Sequence, residues 1–309
     1  MTKPIEAATS NEALSSTARA ATIVVPAYNE EGGIEGVVRR LAGLELGLSA
    51  VEILVVDDGS TDGTGALLQQ LSAEIDTLEV IVKPRNEGYG AALLTGFSAA
   101  KHEIVVITDA DGTYPEDRIG ELVKIVEGGT EMAIGARIGA DVHIPLIRRP
   151  AKAFLRMLAS YLAEFKIPDL NSGLRAFQKP FVLKYRGILP KGFSFTTTIT
   201  LAALTNSHSI EYLPIDYAAR KGRSKIRPIR DTLGFLALII KTVMYFNPLR
   251  VFYPMTWFVG LGFLASLGYD IFYESPANLG DKTVLLFVAT MQILTLGLFA
   301  DLICKRARL

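Results

Sequence analysis

One cysteine, one tryptophan and three histidines are all that 309 residues hold of these types. A lone thiol, Cys304, cannot close a disulfide within the chain, and no CxxC pair exists to hold a metal. Three scattered histidines argue equally against a histidine-built zinc centre. Net charge is missing too, since 32 Lys and Arg balance 32 Asp and Glu. Nothing global therefore points to nucleic acid as a partner, and only local basic clusters carry weight. Residues 1–20, rich in Ala, Ser and Thr, lack the apolar core of a signal peptide. They read as a mobile leader, with folding expected to begin in the cytosol near Ala21.

What the chain holds in excess is apolar residues, 50% of the total. The excess gathers at the C-terminus, where 251–273 and 284–304 are long enough as helices to span roughly 30 Å of bilayer. The run 233–240 is short, bounded by Arg230, Asp231 and Lys241, and reads as part of an interfacial helix. The loop ESPANLGDK holds one lysine against two acids, whereas Arg250, Lys305, Arg306 and Arg308 flank the spans outside it. By the positive-inside rule both termini and the preceding domain lie on the cytosolic side, as in a bacterial or archaeal cell membrane. Asp270 and Asp301, near the ends of their spans, are expected at the interface.

From 21 to about 137 the pattern repeats: a β-branched run, a turn of Gly, Asp or Asn, then a helical period. The runs are ATIVVP, VEILVVDD, LEVIVK, EIVVITD and EMAIGA. Such alternation predicts an α/β fold, a mainly parallel Rossmann-like sheet covered by helices on both faces, with ligands beyond the carboxyl ends of the strands. Further on come a basic amphipathic helix, IRRPAKAFLRMLASYLAEF, and a polar elbow, PDLNSGLRAF. A helix near 197–207 and a strand-like IEYLPIDY follow. In the stretch from Arg220 to Arg230, six of eleven residues are Lys or Arg. The boundaries expected are a catalytic domain over 21–227, a juxtamembrane helix over 228–249 and a two-helix anchor over 250–309.

Three strand ends, PAYNEE, DDGSTD and DADG, deliver acids and polar groups to one edge of that sheet. Each alone fits turn and cap chemistry equally well. Together they suit a nucleotide: carboxylates accept from base N–H groups and ribose hydroxyls, and Tyr28 can pack on a base. Asp109 and Asp111 form a hard oxygen pair suited to Mg²⁺ or Mn²⁺ at a diphosphate.

PAYNEE, VVDDGSTDGT, NEGYGAALLTGF and TDADG, in this order and spacing, resemble glycosyltransferase family 2, whose nucleotide-sugar domain is called GT-A. NSGLRAF, RKGRSKI and the two spans resemble its dolichyl- or polyprenyl-phosphate mannose and glucose synthase branch. The resemblance implies inverting, metal-dependent transfer of a hexose from a GDP-mannose or UDP-glucose type donor to a polyprenyl (dolichyl or undecaprenyl) phosphate. It implies nucleotide-sugar contacts at Pro26, Tyr28, Glu30, Asp57, Asp58, Gly88, Asp109, Ala110 and Asp111, with Asp109 and Asp111 on the metal. Arg137, Arg149, Ser224 and Lys225 match positions that meet the donor or the acceptor phosphate. Arg220 falls with Ser224 and Lys225 in the segment that closes over the site.

Two departures bear on mechanism. Thr113 stands where relatives often place Gln, so water or a hydroxyl is expected to complete the metal shell. Gly173 and Thr198 stand where some relatives carry an acid. A lipid monophosphate with a second pKa of about 6 is largely a dianion at neutral pH and needs placement more than deprotonation. Asp169 is the residual base candidate, with an ion pair to Arg175 the more expected role. A processive polysaccharide synthase would show a Gln-x-x-Arg-Trp motif, yet the one tryptophan, Trp257, lies inside a span. A non-catalytic membrane scaffold would not need the Asp109 and Asp111 pair. The sequence leaves homo-oligomerisation open.

Overall fold

The repeating pattern folds as alternating strands and helices. The computed structural model describes residues 20–138, 149–192, 194–218, 228–273 and 279–306. In chain order the first half comprises β1 (Ala20–Ala27), α1 (Ile34–Gly43), β2 (Ala50–Asp57), α2 (Thr64–Glu74), β3 (Leu78–Val82), α3 (Tyr89–Ala99), β4 (Ile104–Ile107), α4 (Ile119–Glu127) and β5 (Met132–Arg137). The second half comprises α5 (Arg149–Ala163), β6 (Arg175–Gln178), α6 (Lys179–Lys184), α7 (Phe195–Thr205), β7 (Ile210–Ile215), α8 (Pro228–Phe246), α9 (Leu249–Tyr273) and α10 (Asp281–Arg306).

The strands form one seven-stranded sheet in the order β3-β2-β1-β4-β6-β5-β7. All neighbours are parallel except β6, which runs antiparallel to both β4 and β5. Side chains alternate across each strand. Ile23, Val25, Ile53, Val55 and Val106 therefore meet α1, α2 and α4 on one face. Val24, Val56, Val105, Ile107 and Ile134 meet α3, α6 and α7 on the other. There Phe97 packs edge-on to Phe177 with centroids 5.8 Å apart, and burying one such ring contributes roughly 1.5–3 kcal/mol.

The antiparallel strand positions the site. The sequence pattern marks 168–177 as a polar elbow, but its last residues become β6, inserted between β4 and β5. A four-residue strand that begins with arginine carries no apolar run to reveal it. Because β6 is reversed, its start lies at the sheet edge where β1, β2, β4, β5 and β7 end. The segment from Asp169 to Gly173 thereby reaches the edge that holds DADG and DDGSTD.

α9 and α10 are long and apolar enough to cross a membrane. They pack as a hairpin. Asp270 accepts from the N–H of Gly280 at 2.9 Å and the hydroxyl of Thr283 at 2.6 Å, capping the start of α10. Asp301 pairs with Lys305 at 2.8 Å. α8, Pro228–Phe246, lies within the 228–249 stretch expected as a juxtamembrane helix. Ile239 and Val243 of α8 pack with Ala159, Leu162 and Ala163 of α5, while Glu164 pairs with Arg250 at the foot of α9. The opposite side of α5 exposes Phe154, Met157 and Tyr161 at helical spacing.

Candidate active site

The two strand ends expected at the nucleoside are laced to each other. Asn29 sits at φ 55. Its N–H donates to Ser60 Oγ at 2.9 Å, and its Oδ1 accepts from Thr61 N at 2.8 Å. Glu30 N donates to Thr64 Oγ1 at 3.0 Å, and Gly63 N donates to Glu31 Oε2 at 3.1 Å. These bonds fix PAYNEE against DDGSTDGT and leave the Tyr28 ring exposed at 40% on the edge. Pro26 lies buried within β1, opposite Val56.

Asp57 and Asp58 are both buried, and each organises a turn. Asp57 Oδ1 accepts from Ser60 N at 2.9 Å. Asp58 accepts from Lys83 Nζ at 2.7 Å, from Glu87 N at 3.1 Å and from Gly88 N at 2.6 Å. Gly88 adopts φ 105, and a Cβ there would stand 2.5 Å from Lys191 O. Only glycine gives the backbone both that conformation and that approach. The start of α3 is thus fastened to the end of β2.

Asp109 and Asp111 leave β4 on one turn. Asp111 Oδ1 accepts from Thr113 N at 3.2 Å and Thr113 Oγ1 at 2.7 Å. Thr113, which stands where relatives often place Gln, is a brace for Asp111. Asp109 Oδ1 accepts from the Tyr89 hydroxyl at 3.1 Å. Burial, followed by the charge of Asp109, pushes that hydroxyl well above its ordinary pKa, so it donates. Ala110, between the two acids, is buried in the core. On the far side a Cβ at Gly173 would stand 2.8 Å from Asp109 Oδ2, so the elbow backbone walls in this carboxylate. Arg40 of α1 lies against the same turn, its Nη2 2.8 Å from where a Cβ at Gly112 would stand, and pairs with Glu116 at 2.8 Å.

Arg137, at the end of β5, grips Asp169 with Nε to Oδ2 at 2.7 Å and Nη2 to Oδ1 at 2.9 Å. This corrects the expected pairing of Asp169 with Arg175. Arg175 points into the core because its position on β6 shares the face of Ile107 and Ile134. It is fully buried and donates to Ser172 O, Leu170 O, Thr196 O and Thr200 Oγ1. Burial lowers its pKa. Burial opposes the charge of Arg137 most strongly, but its hydrogen bonds to Asp169 and the surrounding charges together outweigh burial and raise that pKa.

Two tyrosines join these parts. Tyr114 Oη accepts from Gly173 N at 2.6 Å, and its ring meets Tyr217 edge-on at 5.2 Å. The Arg137 guanidinium lies 5.2 Å from the Tyr217 ring centroid. Ala218 N donates to Thr113 O at 3.1 Å, which holds the last described residue before the basic segment beside the DADG turn. Tyr89, Tyr114 and Tyr217 were not singled out in the sequence. Tyr89 lies inside the quoted NEGYG, and only its contact with Asp109 marks it.

The family model for glycosyl transferase family 2 matches residues 22–185. The chain belongs to glycosyltransferase family 2. A second model, the GtrB C-terminal hairpin, matches residues 247–305 of this glycosyltransferase. It is 31% identical over 214 residues to a polyprenol monophosphomannose synthase of Mycolicibacterium smegmatis, covering 66% of this chain and 80% of the relative. It is 26% identical over 224 residues to a dolichyl-phosphate hexose transferase of Haloferax volcanii, covering 72% and 93%. Its fold matches the glucosyl-3-phosphoglycerate synthase of Mycobacterium tuberculosis, crystallised with Mn²⁺ and UDP. The TM-score is 0.55 at 22% identity, over 73% of this chain and 79% of the other.

The donor chemistry of the glycosyltransferase fits a divalent cation at the DADG turn. Among the described residues no group of three His, Cys, Asp or Glu gathers as a metal cage. Two carboxylates on one turn suit an ion that takes its other oxygens from phosphate and water. Arg220, Ser224 and Lys225 lie outside the described residues, as does the side chain of Arg149, whose backbone opens α5.

Proposed function

We propose that this glycosyltransferase moves a hexose from a nucleotide sugar, of GDP-mannose or UDP-glucose type, to a dolichyl or undecaprenyl phosphate at the cytosolic membrane face. The observation that carries this reading is a convergence at one sheet edge. The Asp109 and Asp111 turn, the Arg137 and Asp169 pair and Ala218, which precedes the basic segment in the chain, all lie there, in a chain with two apolar helices able to cross a bilayer. The names of the relatives, which specify polyprenol and dolichyl phosphate sugar transfer, support it.

An oxygen of the lipid phosphate forms the new bond to the anomeric carbon from the face opposite the leaving group. The bond to the nucleotide diphosphate breaks, and its electron pair departs with the diphosphate. Asp109 and Asp111 would hold Mg²⁺ or Mn²⁺, which when bound would supply charge neutralisation at the diphosphate. The laced strand ends with Tyr28, Glu30, Asp57 and Asp58 hold the nucleoside side. Arg137, Arg149, Arg220, Ser224 and Lys225 hold the acceptor phosphate. Because that phosphate is already largely a dianion, no base is needed, and Asp169 orients Arg137. α5 and α8 seat the 21–227 domain on the bilayer beside the anchor.

The test incubates purified protein and a polyprenyl phosphate with a panel of labelled nucleotide sugars, with and without chelator. One donor should be preferred, giving a lipid-phosphate sugar, and transfer should vanish with chelator or in Asp111→Asn. Equal transfer without divalent metal, or label in a growing polymer, sinks the reading.

A further inference from the structure

Asp109 and Asp111 share a turn, but their carboxylates are held by different means. Asp111 is braced by Thr113, two residues further on. Asp109 Oδ1 takes its hydrogen bond from another element, the hydroxyl of Tyr89 at the start of α3. The terminal torsion of an aspartate is broad and two-fold, so the backbone alone does not fix the plane of its carboxylate. A donor held rigidly does.

Tyr89 is held in that way. The preceding N–H, of Gly88, is bound by Asp58 at 2.6 Å, and Ala91 N donates to Lys191 O at 3.1 Å. A Cβ at Gly90 would stand 2.1 Å from Pro190 O, so the first turn of α3 lies hard against the 190–192 backbone. The phenol packs with the core face that holds Leu93 and Phe97. The chemistry of the donor matters as well. A neutral hydroxyl orients a carboxylate without cancelling its charge, whereas an ammonium at this place would compete with a metal ion.

We propose that Tyr89 is a positioning residue that fixes the plane of the Asp109 carboxylate and thereby sets the affinity for the divalent cation. The proposal rests on the metal reading of Asp109 and Asp111 given above. Tyr89 also joins the nucleoside loop to the metal turn, because adjacent residues of α3 and its cap bind Asp58 and Asp109. Its removal acts on metal binding before it acts on chemistry.

The test titrates Mn²⁺ into full-length protein with saturating UDP or GDP and no acceptor, following free Mn²⁺ by its electron paramagnetic resonance signal. Wild type is compared with Tyr89→Phe, Asp109→Asn and the double variant. Tyr89→Phe keeps the ring and should bind Mn²⁺ about ten-fold more weakly, with the metal-free melting temperature unchanged. In transfer assays its half-saturating Mn²⁺ should rise while the rate at saturating Mn²⁺ stays near wild type. The double variant should bind no more weakly than Asp109→Asn alone, since the two side chains act through one contact. Equal Mn²⁺ affinity in wild type and Tyr89→Phe overturns the proposal, as does an undiminished effect of Tyr89→Phe in the Asp109→Asn background. Failure of the wild type to bind Mn²⁺ with either nucleotide overturns both this proposal and the metal reading.

Discussion

Asp169 is bound by Arg137 through two side-chain hydrogen bonds, and the backbone N–H of Arg137 donates to the same carboxylate at 3.1 Å. Both side chains are largely buried, at 14% and 3% exposure. An acid held in this way is a clamp for the arginine and is poorly placed to remove a proton. Asp169→Asn should lower kcat/KM and destabilise the fold by roughly 3–5 kcal/mol, the usual cost of stranding a buried charge. The shape of its pH–rate profile should match wild type, and adding Asp169→Asn to Arg137→Ala should lose no further activity. Disappearance of one limb of the profile in Asp169→Asn would restore a base role.

Gly173 lies where any side chain would press on Asp109, with a virtual Cβ 2.8 Å from Oδ2 and 2.9 Å from Oδ1. Gly173→Ala should therefore shift the DADG turn. A displacement of about 1 Å in a reacting centre can cost about 100-fold in rate, while overpacking costs only about 1–3 kcal/mol in stability. Transfer rate and melting temperature measured on one preparation should show a large loss of activity in a folded protein. Wild-type activity in this variant contradicts the close packing.

At the opposite end of the sheet, Glu131 Oε1 meets His208 Nδ1 at 2.9 Å, and His208 Nε2 meets the Tyr185 hydroxyl at 2.7 Å. Tyr185 in turn packs edge-on to Phe246 of α8, at 6.1 Å. Burial works against the charge of Glu131, but its hydrogen bonds from His208 and Ser209 prevail and hold its pKa at about 2, below the ordinary 4.5. A depressed carboxylate pKa stabilises the fold above the unfolded value, and that share is lost as pH falls from about 4.5 towards 2. Glu131→Gln should melt lower than wild type at pH 6, and the gap should narrow steadily towards pH 3. A constant gap over that range excludes this linkage.

Met157 is 64% exposed on the face of α5 turned away from α8, with Phe154 and Tyr161 alongside. If this stripe seats on the headgroup region, its contacts serve the lipid acceptor and not the nucleotide. Met157→Glu in liposomes should raise the KM for polyprenyl phosphate several-fold and leave the KM for the nucleotide sugar unchanged. An equal rise in both points to a folding defect.

Much of this protein is legible in one dimension because its signals are local. Apolar runs closed by Asp, Asn or Gly mark β1, β2, β4 and β5, and the ends of those strands mark the acids that meet at one edge. The two apolar helices likewise follow from length and composition alone. What only the tertiary structure decided depends on contacts far apart in the chain. The four residues of β6 become a strand because the edges of β4 and β5 pair with them, and its reversed direction carries Asp169 and Gly173 to the DADG turn. Residue 175 lands on the core face by register, so Arg175 goes to backbone carbonyls and Asp169 to Arg137, 32 residues away. Tyr89 meets Asp109 across 20 residues. Periodicity records which side of an element a residue occupies, but partners across the fold are chosen by strand order and register.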